Sequence, residues 1–182
     1  MIKRVTKMLT VVLLSMLCLG CSRLFSEGMG AARGASGKVV EIGRTSDLTM
    51  YKGLRIESIT VGEGLQVPAG MPNMIRTDFA AAAEKRGLMS AGQPALTLSA
   101  KIVHYETSST VDKAVGPLSE VIVQAKLTDA RSGKVVAEAN LIGRSKATSS
   151  SSVNDVSEGA AKALDQWLKS GGLKEADEKE KN

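Results

Sequence analysis

Two runs of strictly alternating residues, separated by turn chemistry, constrain this chain more than any other stretch. Val121, Val123, Ala125 and Leu127 alternate with Ile122, Gln124, Lys126 and Thr128, and Val135, Ala137, Ala139 and Leu141 share one face of a second run. Successive side chains of a strand point to opposite sides of the pleat, so period two marks a strand with one buried face. The connection Asp129-Ala130-Arg131-Ser132-Gly133-Lys134 is polar. Aspartate and serine there can bond their own backbone, and glycine tolerates a left-handed conformation. An antiparallel hairpin is predicted, and it fixes which residues face a core.

Upstream, Leu96, Leu98, Ala100 and Ile102 alternate with Thr97, Ser99 and Lys101 as another strand. From Leu54 to Val61 the alternation slips: Leu54 and Ile56 share one face, Ile59 and Val61 the other. That slip predicts a bulge or burial on both faces. Lys38 to Ile42 reads as a short strand or an ordered entry segment. Gly62, Gly64, Pro68, Gly70 and Pro72 break regular structure ahead of a first helix, predicted from a cap at Asn73 to Arg86. Ile75, Phe79, Ala82 and Ala83 form its apolar stripe, Gly87 is its left-handed C-cap, and Lys85 and Arg86 suit the negative end of the dipole. Val153, Val156, Ala160, Ala163, Leu164, Trp167 and Leu168 fall at helical spacing in a second helix, which Gly171-Gly172 ends. Trp167 is expected beneath the sheet.

The order is β-α-β-β-β-α. The first helix is long enough to cross between parallel strands, and both helices need a sheet face to cover. The expected fold is α+β: a two-layer sandwich of one mixed four-to-five-stranded sheet with two helices on one face.

The first 21 residues have a different character. Lys3, Arg4 and Lys7 precede Met8 to Leu19, an apolar run of 12 residues, and then comes Gly20-Cys21. A helix that spans a bilayer needs about 20 apolar residues, whereas this length suits a signal peptide. Cys18-Leu19-Gly20-Cys21 resembles the lipobox of bacterial lipoproteins, with Cys18 standing where leucine is usual. The resemblance implies cleavage between Gly20 and Cys21 and acylation of the Cys21 thiol. Ordinary secretion and an uncleaved anchor are the alternatives, and no Ala-x-Ala site supports the former. Asp after the cysteine favours inner-membrane retention in enteric-type sorting, so Ser22 implies the periplasmic face of the outer membrane. Residues 1–20 are thus read as signal peptide, 21–36 as a lipidated flexible tether, 37–172 as one domain and 173–182 as a charged disordered tail.

Composition narrows the function. Lys3, Arg4 and Lys7 leave with the signal, so 21 of the 24 basic residues remain against 19 acidic ones, a net charge of +2. That balance and the lack of a basic block interleaved with aromatics argue against a nucleic-acid partner. Cys18 is removed and Cys21 acylated, so no disulfide or cysteine metal site is expected. His104 is the sole histidine, and one imidazole without a free thiol assembles neither a triad nor a metal cluster. Its expected role is structural. Gly62-Glu63-Gly64-Leu65 lacks the third glycine of a dinucleotide fingerprint, since Val67 stands there, and lacks the Gly-Lys-Ser/Thr of a phosphate loop. Asp129 and Lys134 are read as turn residues rather than a catalytic pair. Glu57 and Glu63 are the carboxylates that hydrolysis could use, with nothing to bring them together. The expectation is no catalytic residue, no cofactor and no metal. The polar loops Thr107 to Leu118 and Ser145 to Ser152 are candidates for binding.

Arg86-Gly87-Leu88, the strand Ala95 to Leu98 and the run Leu127 to Val136, taken with the lipobox, are similar to small bacterial lipoproteins of family 4410 of the domains of unknown function. The resemblance covers about residues 50–170. It implies the small α/β fold of envelope assembly and secretion lipoproteins, including the curli-secretion and TolB amino-terminal types, and it supplies no catalytic residue. The expected function is a non-enzymatic, membrane-anchored, periplasm-facing interaction or assembly module with an envelope protein partner. The alternative is an accessory lipoprotein subunit of an export or secretion complex.

Overall fold

The three alternating runs become adjacent strands, and the slipped run becomes a fourth. The computed structural model describes residues 34–107, 119–145 and 153–176. Its elements are β1 (Ser36–Glu41), β2 (Gly53–Val61), α1 (Met71–Lys85), β3 (Ala95–Glu106), β4 (Glu120–Asp129), β5 (Val135–Arg144) and α2 (Val153–Ser170). The sheet order is β1-β5-β4-β3-β2. Only β2 and β3 run parallel, joined by the α1 crossover; the other neighbours are antiparallel. The mixed five-stranded sheet with two helices is the α+β sandwich expected from the alternation. The segment expected from Lys38 to Ile42 is the edge strand β1, which runs from Ser36 to Glu41.

The slip in β2 is a bulge. Register shifts between Ile56 and Ser58, so the extra residue Glu57 returns Ile59 to the face that Leu54 buries. In β3, β4 and β5 the alternating residues Leu96, Leu98, Ile102, Val121, Val123, Leu127 and Leu141 have no exposed surface, as expected. Val135, expected on the same face, is instead 43% exposed, because a register shift leaves it opposite the outward-facing Thr128. Against them lie Met71, Ile75 and Phe79 of α1 and Val156, Leu164, Trp167 and Leu168 of α2, all fully buried. Trp167 packs inside as expected, and its Nε1–H donates to Thr45 Oγ1 at 3.0 Å. Burial of such a side chain contributes about 1.5–3 kcal/mol, so this continuous layer dominates the stability.

One helix boundary differs from expectation, and one is as expected. α1 starts at Met71 rather than beyond Asn73, after Gly70 in a left-handed conformation (φ 83°), with Pro72 in the first turn. Proline is harmless there because the first-turn N–H groups have no intrahelical partner and its φ is already helical. At the other end the Gly87 amide donates to Glu84 O at 2.8 Å and the Leu88 amide to Ala83 O at 3.0 Å. That bond pair, with Gly87 at φ 72°, is the Schellman closure.

The ends of the folded unit also shift. Ala35 is buried and β1 begins at Ser36, so the unit starts before residue 37. Leu173 is buried and its amide donates to Leu168 O at 3.2 Å. Glu175 lies 3.1 Å from Lys85 Nζ. Residues 173–175 therefore belong to the fold rather than to a solvated tail. The cause is an apolar anchor at Leu173 followed by charge pairing to the end of α1.

Candidate functional site

The helices cover one face of the sheet, and the other face is open. There Ser58, Thr60, Ser99, Lys101 and Gln124 line a shallow depression of about 320 Å³, beside Lys126. Lys126 pairs with Glu138 at 3.2 Å across β4 and β5. The polar side chains lining the depression come from the outward half of each alternating run, which is why this part of the face tolerates water. Hydroxyls, an amide, ammonium groups and the Glu138 carboxylate make a polar surface.

Asp129 illustrates how the turn chemistry differs from catalysis. Its Oδ1 accepts from the Ser132 amide at 2.7 Å, the Ser132 hydroxyl at 2.8 Å and the Arg131 amide at 3.1 Å. Its Oδ2 accepts from the Tyr51 hydroxyl at 2.9 Å. The Ser132 backbone and hydroxyl bonds, then the Tyr51 bond, pull its carboxyl down to about 2. A carboxylate held so far down is a poor base at neutral pH. The same bond, after burial, pushes the Tyr51 phenol up. Gly133 closes the turn at φ 69°, its amide donating to Asp129 O at 2.9 Å. The turn reading of Asp129 and Lys134 holds.

The other candidates separate in space. His104 follows a bulge at Val103 near the far end of β3, opposite Ile122. Its ring is half-exposed, with Nε2 3.7 Å from Glu106 Oε2. Asp129 pairs with Leu96 at the near end of the same strand, so imidazole and turn carboxylate lie at opposite ends of the sheet. Glu57 occupies the β2 bulge and Glu63 a turn in which the Leu65 amide donates to Gly62 O at 3.1 Å; both are exposed. Among the described residues no group of three His, Cys, Asp or Glu side chains could hold a metal ion. Gly20 and Cys21 lie outside the described residues, as do 108–118 and 146–152 of the two polar loops. At the loop margins Ser119 and Ser145 are buried, and the Ser145 amide donates to Ser119 O at 2.9 Å.

One interaction had no signal in the sequence. Arg86, read there only as a charge at a helix end, is buried and forks onto Asp165 of α2, with Nε 2.7 Å from Oδ1 and Nη2 2.6 Å from Oδ2. Burial raises the Asp165 carboxyl, but the Arg86 bond and charge, with help from Lys85 and Lys169, leave it below its ordinary value. Nη1 also reaches Leu173 O at 3.5 Å. The guanidinium thus ties α1, α2 and the C-terminal segment together. A residue separation of 79 leaves no local pattern to read.

No protein-family model matches the chain, and no curated protein matches it; the likeness to family 4410 rests on the residues quoted for it. Among solved structures, a single-residue variant of the PelC dodecamer from Paraburkholderia phytofirmans is 22% identical with a TM-score of 0.52, and the match covers 71% of this chain and 95% of that one. A second PelC dodecamer structure from the same organism is 18% identical, with a TM-score of 0.51 over 71% of this chain and 95% of that one. A DUF330 protein from Xanthomonas campestris is 17% identical at a TM-score of 0.42, over 72% of this chain and 90% of that one. Identities at this level carry the fold: the α+β sandwich of this chain is similar to that of the PelC subunit.

Proposed function

We propose that the chain is a non-enzymatic, lipid-anchored module of a bacterial envelope that faces the periplasm from the outer membrane and works by protein assembly. The observation that carries this reading is Cys21, set in Leu19-Gly20-Cys21 behind a basic and then apolar segment. Each buried acyl methylene contributes about 0.8 kcal/mol, and two or more chains hold a protein stably at a bilayer. Cys21 precedes the first strand at Ser36 by 15 positions. An assembly role draws support from the dodecameric state of the two PelC structures and from the turn-bound character of Asp129. The test is fractionation of cells fed labelled palmitate. The wild-type chain is expected in the outer membrane with label, and Cys21→Ala in the soluble periplasm without it. Equal membrane association of the two forms would contradict the anchor.

A second reading, an accessory subunit of an export or secretion complex, is favoured by the same PelC likeness, because a multimeric state suits a component of a larger machine. It predicts stoichiometric recovery with a membrane complex in mild detergent. Recovery of the chain alone after crosslinking in cells speaks against it.

A further inference from the structure

The two edges of the sheet are built differently. On β2 the bulge at Glu57 interrupts the edge, and Arg76 Nη1 donates to Ile56 O at 2.7 Å. Bulges and charged side chains are the usual means of blocking strand addition. On β1 every residue is exposed or half-exposed. The ladder parity shows which backbone groups it offers. The Ile42 amide donates to Glu138 O at 2.8 Å, and between β4 and β5 the Ser145 amide donates to Ser119 O at 2.9 Å. Bonded and non-bonded pairs alternate in an antiparallel ladder. Both bonds therefore direct the amides and carbonyls of Ser36, Lys38 and Val40 at β5, and those of Gly37, Val39 and Glu41 away from the sheet. Among the described residues those outward groups have no hydrogen-bond partner.

We propose that β1 is a self-pairing edge: a second copy of this chain adds its own β1 antiparallel, on a two-fold axis through Val39, joining the two five-stranded sheets. The inference rests on the reading of the chain as an assembly module and names its partner. The outward groups are symmetric about Val39, so one register satisfies them all, with Gly37 bonded to Glu41 of the second copy and Val39 to Val39. On the helix side this register is complementary in charge. Lys162 lies over Gly37, where a Cβ would come 2.9 Å from its carbonyl carbon, and its Nζ is 2.9 Å from Ala35 O and 2.8 Å from Glu158 Oε1. Glu41 of the second copy, whose carboxylate rests on Ser170, arrives beside that ammonium group. α2 packs over both β1 and β5. With strands about 4.8 Å apart, the two α2 helices then lie about 10 Å apart, a normal packing distance. On the open face Lys38 sits opposite Val40, which is 43% exposed, so pairing also covers an apolar side chain.

The register gives variants whose effects differ in sign. Val39→Pro removes an N–H that points outward and no bond within the subunit, so the fold is kept while pairing weakens by about 100-fold. Val40→Lys places like charges opposite Lys38 twice per pair and weakens it by about tenfold, whereas Val40→Glu strengthens it. The measurement is native mass spectrometry or light scattering of the full chain in mild detergent over a concentration series, with circular dichroism of each variant. Dimers or their multiples that dissociate in that order support the proposal. A monomer at all concentrations, an oligomer indifferent to a folded Val39→Pro, or Val40→Lys and Val40→Glu shifting in the same direction overturns it. Should Val39→Pro unfold, the Val40 pair decides. The mass of each sample reports acylation separately, so loss of the anchor is distinguishable from loss of pairing.

Discussion

The two helices sit on the sheet by opposite means. α1 presents Met71, Ile75 and Phe79, each fully buried, toward β2 and α2. α2 approaches β1 and β5 backbone to backbone. A Cβ at Gly143 would lie 2.3 Å from Val156 O and 2.4 Å from Ala160 N, and one at Gly37 would lie 2.4 Å from Ala163 N. A Cβ at Gly159 on the helix itself would meet Ser36 O at 2.6 Å. α1 is positioned by side-chain volume, and α2 adds to its own buried side chains a close approach that only missing side chains permit. Large apolar side chains tolerate some repacking, but an approach made of main-chain atoms has no rotamer through which to yield.

The largest expected effect tests the first helix. Phe79→Ala should lower the free energy of unfolding by about 3–5 kcal/mol in a urea titration, by lost burial plus a cavity. Gly143→Ala should cost about 3 kcal/mol although it adds one methyl group, because that methyl meets backbone. A cost near zero would mean that α2 stands further from β5. Gly133→Ala sharpens the contrast: nothing lies within 4 Å of its Cβ position, and only the φ of 69° opposes a side chain. Its expected cost is about 1 kcal/mol. The smallest effect concerns pH. The Asp129 carboxyl is lowered from 3.8 to about 2, so its contribution is complete above its ordinary value and is lost as pH falls toward 2. Asp129→Asn should therefore flatten the acid limb of stability between those values, leaving the neutral region with a constant offset. An unchanged acid limb would remove Asp129 from the account.

The same contrast explains what could be read in the sequence. The strands β3, β4 and β5 and the apolar stripes of both helices follow from periodicity, and the β2 slip left a bulge and burial on both faces open, of which the structure has the bulge. Gly87 and the Asp129 turn were legible because their chemistry is local. The seating of α2 was not: Gly37, Gly143 and Gly159 are separated in the chain, and a missing side chain leaves no hydropathy signal. Arg86 and Asp165 were hidden for a related reason, since a charge at a helix end has a sufficient local explanation. Glu175 looked solvated because the anchor that precedes it, Leu173, is a single apolar residue. The proposed anchor is legible because Cys21 belongs to a local motif, whereas the proposed pairing edge of β1 depends on which strands become neighbours.

The proposed acylation of Cys21 is tested most directly by the intact mass of the membrane-extracted protein. The expected mass is that of a chain that begins at Cys21 and carries a diacylglyceryl group on its thiol. A mass corresponding to an unmodified Cys21, or to a chain that retains residues 1–20, would contradict it.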